Sequence, residues 1–219
     1  MPNRITRLTL VLLAAAVGVG VADARAQIIR APRRPDPVNW ASGGVGLLQA
    51  QTIDDYATES AWNFGTVTQW RATFEHTLRN GGAVGIAGAI SRPSLSYQSS
   101  VGGCESCDAR ANVWQVLALF RIGGGGGFHQ VIELHAGATA FSNFRAASDD
   151  RRLEPTGTVV DPTFSVGYGF AYGFSRGSQL VLVQDLGAIL HRRQNAPSGA
   201  NTLHQYQLTR IGLRVAIDG

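Results

Sequence analysis

The chain has 219 residues, 44% hydrophobic and 16% charged, with a formal net charge of +4. That length suits one domain or one small barrel. Setting aside Arg4, Arg7, Arg25 and Asp23 in the N-terminal leader leaves +2, too small an excess to indicate a nucleic-acid surface. All 19 basic residues are arginine, and 27 glycines with few charges favour turns and close-packed strands over helices.

Arg4 and Arg7 precede an uncharged apolar run, Leu8 to Ala22, and Ala24-Arg25-Ala26 supplies a cleavage site. Residues 1–26 are therefore expected to be an export signal that is removed, leaving Gln27 first. The apolar run is short for a spanning helix of about 20 residues. Residues 27–37 are rich in Pro and Arg and predict an extended periplasmic arm. Residues 38–219 are expected to form one unit. No later stretch is apolar enough for a transmembrane helix, so a membrane-crossing form has to be a closed barrel.

From Val38 onward, apolar and polar residues alternate in about eight segments. The first, Val38 to Gln51, is glycine-rich and its faces are hard to separate. In the second, Trp62, Phe64, Trp70, Ala72 and Phe74 share one parity, against Asn63, Gln69, Arg71, Thr73 and Glu75. The third, Ala83 to Arg92, sets Val84, Ile86 and Ile90 against alanine and glycine. The fourth, Arg110 to Ile122, sets Trp114, Val116, Phe120 and Ile122 against Gln115 and Arg121. The fifth, Phe128 to Phe141, opposes Ile132 and Leu134 to Glu133 and His135. In the sixth, Thr163 to Phe174, Phe164, Val166, Tyr168, Phe170 and Tyr172 alternate with small residues. The seventh, Gln179 to His191, opposes Leu182 and Leu186 to Asp185. The last, Tyr206 to Asp218, opposes Ile211, Leu213 and Val215 to Arg210 and Arg214.

The gaps between segments alternate in length. Arg79–Gly82, Gly123–Gly127 and Ser175–Ser178 are tight. The stretches around Asp54–Tyr56, Pro93–Asp108, Arg145–Asp161 and Arg192–Leu203 are long. Short turns at one end and long loops at the other are the pattern of an outer-membrane barrel. The bulky aromatics then face lipid: Trp62, Phe64, Trp70, Phe74, Trp114, Phe120, Phe164, Tyr168, Phe170 and Tyr172. The charges then face a lumen: Arg71, Glu75, Arg121, Glu133, His135, Asp185, Arg210 and Arg214. A narrow lumen has room for glycine and alanine beside such pairs, and four arginines nearly balance three carboxylates.

With its export signal, tight turns, long gaps and polar inner face, the chain resembles the small outer-membrane barrels of the OmpA and OmpX type. The resemblance covers nearly all of the mature chain and rests on architecture, not on a sequence fingerprint. It implies an all-β fold: a single up-and-down antiparallel transmembrane β-barrel with a filled lumen. It also implies a place in the cell outer membrane of a Gram-negative envelope, contact with outer-membrane lipid and use of the barrel-insertion machinery. That family usually ends in an aromatic residue, whereas this chain ends Ala216-Ile217-Asp218-Gly219.

Little in the pattern predicts chemistry. Of five histidines, none has serine two positions later, the spacing seen in lipid A deacylase barrels. His135 with Glu133 is the best single pair and reads as part of the lumen network. Cys104 and Cys107 are expected to form a disulfide clip in an exported loop, since the periplasm is oxidising. Asp149-Asp150 offers too few oxygens for calcium, and Gly123–Gly127 lacks the Lys-Ser/Thr of a phosphate loop. No cofactor and no metal are expected. The expected role is structural or surface-interacting, through four extracellular loops that meet an unidentified ligand. Alternatives are a narrow gated channel, a soluble lipocalin-like barrel with an apolar ligand, and a lipid A-modifying enzyme.

Overall fold

In the computed structural model the described residues are 36–79, 81–99, 104–192, 195 and 202–217. The expected signal, most of the arm and most of the gap from Arg192 to Leu203 lie outside them. Eleven strands follow in chain order: β1 (Asn39–Leu48), β2 (Gln51–Asp55), β3 (Ser60–Phe64), β4 (Val67–Thr77), β5 (Ala83–Ser91), β6 (Ser94–Ser99), β7 (Ser106–Ile122), β8 (Gly127–Ala146), β9 (Val159–Ser175), β10 (Ser178–Leu190) and β11 (Leu203–Ala216).

Eight of these, β1, β4, β5, β7, β8, β9, β10 and β11, pair antiparallel around a closed ring. Trp40 opposite Ala216 belongs to the ladder that joins first strand to last. Closure leaves this part of the sheet without an edge. The remaining strands, β2, β3 and β6, extend the sheet beyond the ring beside the upper half of β7. The first two long gaps are thus largely ordered sheet, not open loops.

The wall changes character between ring and extension. Within the ring, inward positions are mostly polar or small, with a few apolar residues such as Leu117, Leu119, Val131, Val181 and Val183 buried among them, and outward positions are mostly apolar. In the extension the inward positions are apolar: Ile53, Trp62, Phe64, Leu95, Tyr97, Phe141 and Phe144 pack into one core. Trp62 stacks 4.6 Å from Phe144, and Phe64 lies 5.7 Å from Phe141. The Trp62 indole N–H donates to Ser60 Oγ at 2.8 Å, so the buried ring keeps its polar atom satisfied.

This corrects the expectation for two aromatics. Trp62 is 0% exposed and Phe64 4%, and both point inward, whereas Trp70 is 63% exposed. The cause is a single extra residue. Gly65 and Thr66 leave the ladder between β3 and β4, and Gly65 N–H bonds instead to Ser94 O. Because side chains alternate with period two, an odd step moves the inner set from even to odd numbers. The same thing happens twice more. Inward positions jump from Leu48 to Gln51 between β1 and β2, and from Phe141 to Phe144 in β8. At the second site Asn143 takes a left-handed φ of 57° within a bulge opposite β7.

Trp62→Ala should remove the centre of the upper core and cost about 3–5 kcal/mol in urea unfolding. A loss below about 1 kcal/mol would show that this core does not hold the extension together.

Candidate functional site

The lumen is threaded by one chain of ion pairs. At the tight-turn end, Arg214 of β11 accepts Trp40 of β1 as a π partner, with its guanidinium carbon 3.9 Å from the ring centroid. Arg214 also donates to Gln179 Oε1 at 3.2 Å and to Glu75 Oε2 at 3.1 Å. Arg121 lies 3.3 Å from Glu75 and 2.6 Å from Glu133. Arg210 binds Glu133 as well, and its Nε donates to Asp185 at 2.7 Å. Six side chains from β4, β7, β8, β10 and β11 are tied together. They lie where the alternation of each strand points, since each shares the inward parity of its own strand.

Two more residues complete the set expected from sequence. His135 places Nε2 3.2 Å from Glu133 and Nδ1 3.0 Å from Ser165 Oγ. Serine, histidine and carboxylate thus touch in the order used by hydrolases. The group is enclosed, however: Ser165, His135 and Glu133 are all buried, and Glu133 is already held by two guanidiniums. A substrate has no way to the serine. Glu133, His135 and Asp185 also lie close enough to surround a metal ion. Their carboxylates are engaged by Arg121 and Arg210, and a second set of cations does not suit a metal centre. Arg71, the eighth residue, turns inward but has no carboxylate within 4 Å among the described residues.

A neutral layer follows along the strands. Gln69 donates to Gln115, Gln115 to Thr139, and Thr139 bonds Thr163 at 2.7 Å. Beyond it lies the apolar core of the extension, and beside that core a second charged group that sequence reasoning missed. His191, just past β10, is buried with Nδ1 2.6 Å from Asp161 and Nε2 3.6 Å from Asp55. Asp55 also accepts from Thr58 at 2.8 Å and from the Ala57 N–H at 3.0 Å. Burial alone would depress the His191 pKa. The hydrogen bond to Asp161 and the nearby Asp55 carboxylate outweigh it and raise the value to about 9. With a carboxylate facing each nitrogen, the ring holds both protons and cannot serve as a general base. Asp55 moves the other way: burial resists, but the His191 ring beside it and the bond from Thr58 win and lower its pKa. Asp55, Asp161 and His191 stand 30 and more positions apart in sequence, so no local motif announced them.

The outer wall carries the remaining expected residues. Trp70, Phe74, Trp114, Phe164 and Tyr172 are exposed on it; Phe120, Tyr168 and Phe170 point the same way and are partly covered by neighbours. Between the tight turns and the extension, the outward positions form an apolar belt, for example Phe164 to Phe174, Trp114 to Ile122 and Val84 to Ile90. Above Ile90 and Trp114 the belt gives way to Arg92, Asn112 and Arg110. There Arg110 and Arg145 share Asp150 at 2.5 and 2.9 Å, lining an open cleft of about 480 Å³ with Arg92. Arg110 and Arg145 hold the Asp150 carboxyl below its usual pKa. Cys104 and Cys107 are joined by a disulfide that packs against the upper core at the start of β7.

No family model and no curated protein matches the sequence. Solved structures do. Neisserial surface protein A aligns at a TM-score of 0.51 and 10% identity, over 82% of this chain and 97% of that one. The outer membrane protein OprG from Pseudomonas aeruginosa aligns at 0.49 and 10%, over 84% and 98%. The attachment invasion locus protein of Yersinia pestis aligns at 0.43 and 11%, over 83% and 99%. The chain has the fold of the small eight-stranded outer-membrane barrels.

Two outcomes test the interior. Glu133→Gln leaves Arg121 and Arg210 underpaired in a buried site and should cost about 3–5 kcal/mol in urea unfolding. His191 titrates higher folded than its unfolded value of about 6.5. Its stabilisation is therefore complete below about pH 6.5 and is lost as pH rises through about 9. Stability of the wild type should fall over that window, and the fall should be absent in His191→Asn.

Proposed function

We propose that the protein spans the outer membrane as a sealed, non-catalytic barrel whose extension forms a rigid platform at the cell surface. The observation that carries this reading is the belt. Apolar side chains such as Trp70, Ile86, Val116, Leu134 and Val166 are exposed all round a closed ring whose interior is charged. A soluble barrel has these faces reversed. Every ring strand has at least nine residues, the length needed to cross a bilayer when tilted. Trp70 and Trp114 stand at the upper margin, where aromatic side chains gather at a membrane–water boundary. Arg92, Arg110 and Arg145 lie at headgroup level beyond them.

The interior argues against conduction. Water that entered past Arg214 would meet a continuous ion-pair chain, then a glutamine–threonine layer, then the core around Trp62. An apolar stopper of this thickness is a barrier that switching ion pairs cannot open. The histidine groups argue against hydrolysis, since one is sealed in and the other is held protonated. The platform is left to act by contact, through β2, β3, β6 and the loops they carry, with a surface ligand or a neighbouring protein.

Three measurements check the reading. The folded barrel should migrate differently from boiled chain on a gel. Among single-tryptophan variants, brominated lipid should quench Trp70 and Trp114 but leave Trp40 and Trp62 bright. Quenching of all four, or of none, would contradict the assigned faces. Refolded protein in planar bilayers should stay silent across salt and voltage, and discrete current steps would overturn the sealed interior.

A further inference from the structure

The lumen chain leaves one cation over. Arg121, Arg210 and Arg214 each face a carboxylate, and Glu75, Glu133 and Asp185 are all used in doing so. Arg71 is 8% exposed, and its Nε and Nη2 are buried without a hydrogen-bond partner among the described residues. Asp55 and Asp161 do not serve it, because both are turned to His191 on the far side of the glutamine–threonine layer. A guanidinium does not shed its proton, so the positive charge remains. Buried charge without a counter-charge is among the most costly arrangements a protein can hold.

A small cavity of about 20 Å³ adjoins this group, lined by Arg71, Arg121, Arg210, Ser42, Thr73 and Gly44. Arg121 also turns two unpartnered donors, Nε and Nη1, toward the interior. The hydroxyls contribute nothing further. Thr73 donates to Glu75 Oε1, and Ser42 bonds Thr73. Gly44 of β1 lines it together with Gly212 of β11, and the two strands approach so closely there that a Cβ on Gly44 would come within 2.4 Å of the Ile211 carbonyl oxygen. A cavity of this size takes one body about as large as a water molecule. Water would satisfy donors but not the charge, which a small anion supplies.

We propose that this cavity binds one halide ion, chloride under ordinary conditions, held by Arg71 with Arg121 and Arg210 as flanking cations. The ion is the counter-charge that makes the lumen neutral. It sits on the ring side of the apolar core, among the ion pairs of the lumen. This site is independent of what the outer surface binds.

Bromide replaces chloride in such a site and can be located by anomalous scattering. Crystals of the refolded barrel grown in bromide should show an anomalous peak in contact with the Arg71 guanidinium; a map without that peak overturns the site. Urea unfolding gives a second reading. Chloride should be exchanged for gluconate at constant ionic strength. A ligand that binds only the folded state lowers the unfolding constant up to tenfold for each tenfold rise in concentration above its dissociation constant. The wild type should follow that slope, and Arg71→Met should be flat. Equal stability of the wild type in the two salts, or a slope retained in Arg71→Met, overturns the proposal. If Arg71→Met does not fold, the bromide map and the wild-type slope decide.

Discussion

Glu133 is the pivot of the molecule. It is 1% exposed and accepts Arg121, its register partner on neighbouring β7, and Arg210, which reaches it from β11 across the lumen. A carboxylate in that position cannot exist without both partners, and neither guanidinium can be buried without it. The outward belt makes the arrangement necessary. Once apolar side chains occupy the outside of an eight-stranded wall, the alternate positions must all fit inside a narrow tube. The charged ones among them must then find each other. Small residues on the inner face supply the room, and ion pairs supply the cohesion that a hydrophobic core supplies elsewhere.

Above the belt the same chain follows the opposite rule. Three odd steps, between Leu48 and Gln51, between Phe64 and Val67, and between Phe141 and Phe144, reverse which parity faces in. None requires a new turn or a break in direction. The sheet continues, but its inner face passes from charged to aromatic. The wall is thus built for a nonpolar exterior in one half and for an ordinary solvated exterior in the other. The boundary is drawn by single residues. Trp62 and His191 meet edge-on at 5.2 Å, so the aromatic core and the second ionic group support each other.

Much of the ring was legible because period two is a local signal. Tyr168 to Phe174 shows it with hardly an interruption, and the charged positions of β4, β8 and β11 follow from the same count. The seven acidic and basic side chains named in those and neighbouring strands all turn inward. Trp62 and Phe64 were misplaced because counting assumes an unbroken ladder. Gly65-Thr66 looks like two more strand residues until the pairing of Gly65 with Ser94 is known. The group around His191 was illegible for a different reason. Asp55, Asp161 and His191 come from three distant segments, and only the closure of the sheet brings them together. Trp40 was hidden by the glycine-rich first strand, whose two faces differ little in composition.

The ladder between Trp40 and Ala216 also sets a condition on how the protein comes to be folded. That contact joins positions 176 apart, and no shorter pairing can replace it in a ring. Until β11 is in place, β1 presents a free row of amide and carbonyl groups while the apolar belt has no continuous wall to belong to. Such an unclosed sheet is a template for pairing with any other strand. Closure is therefore the slow and vulnerable step, since it joins the two ends of the described strands. The glycines of β1, which reduce the bulk at that seam, ease the approach of the two strands that have to meet last.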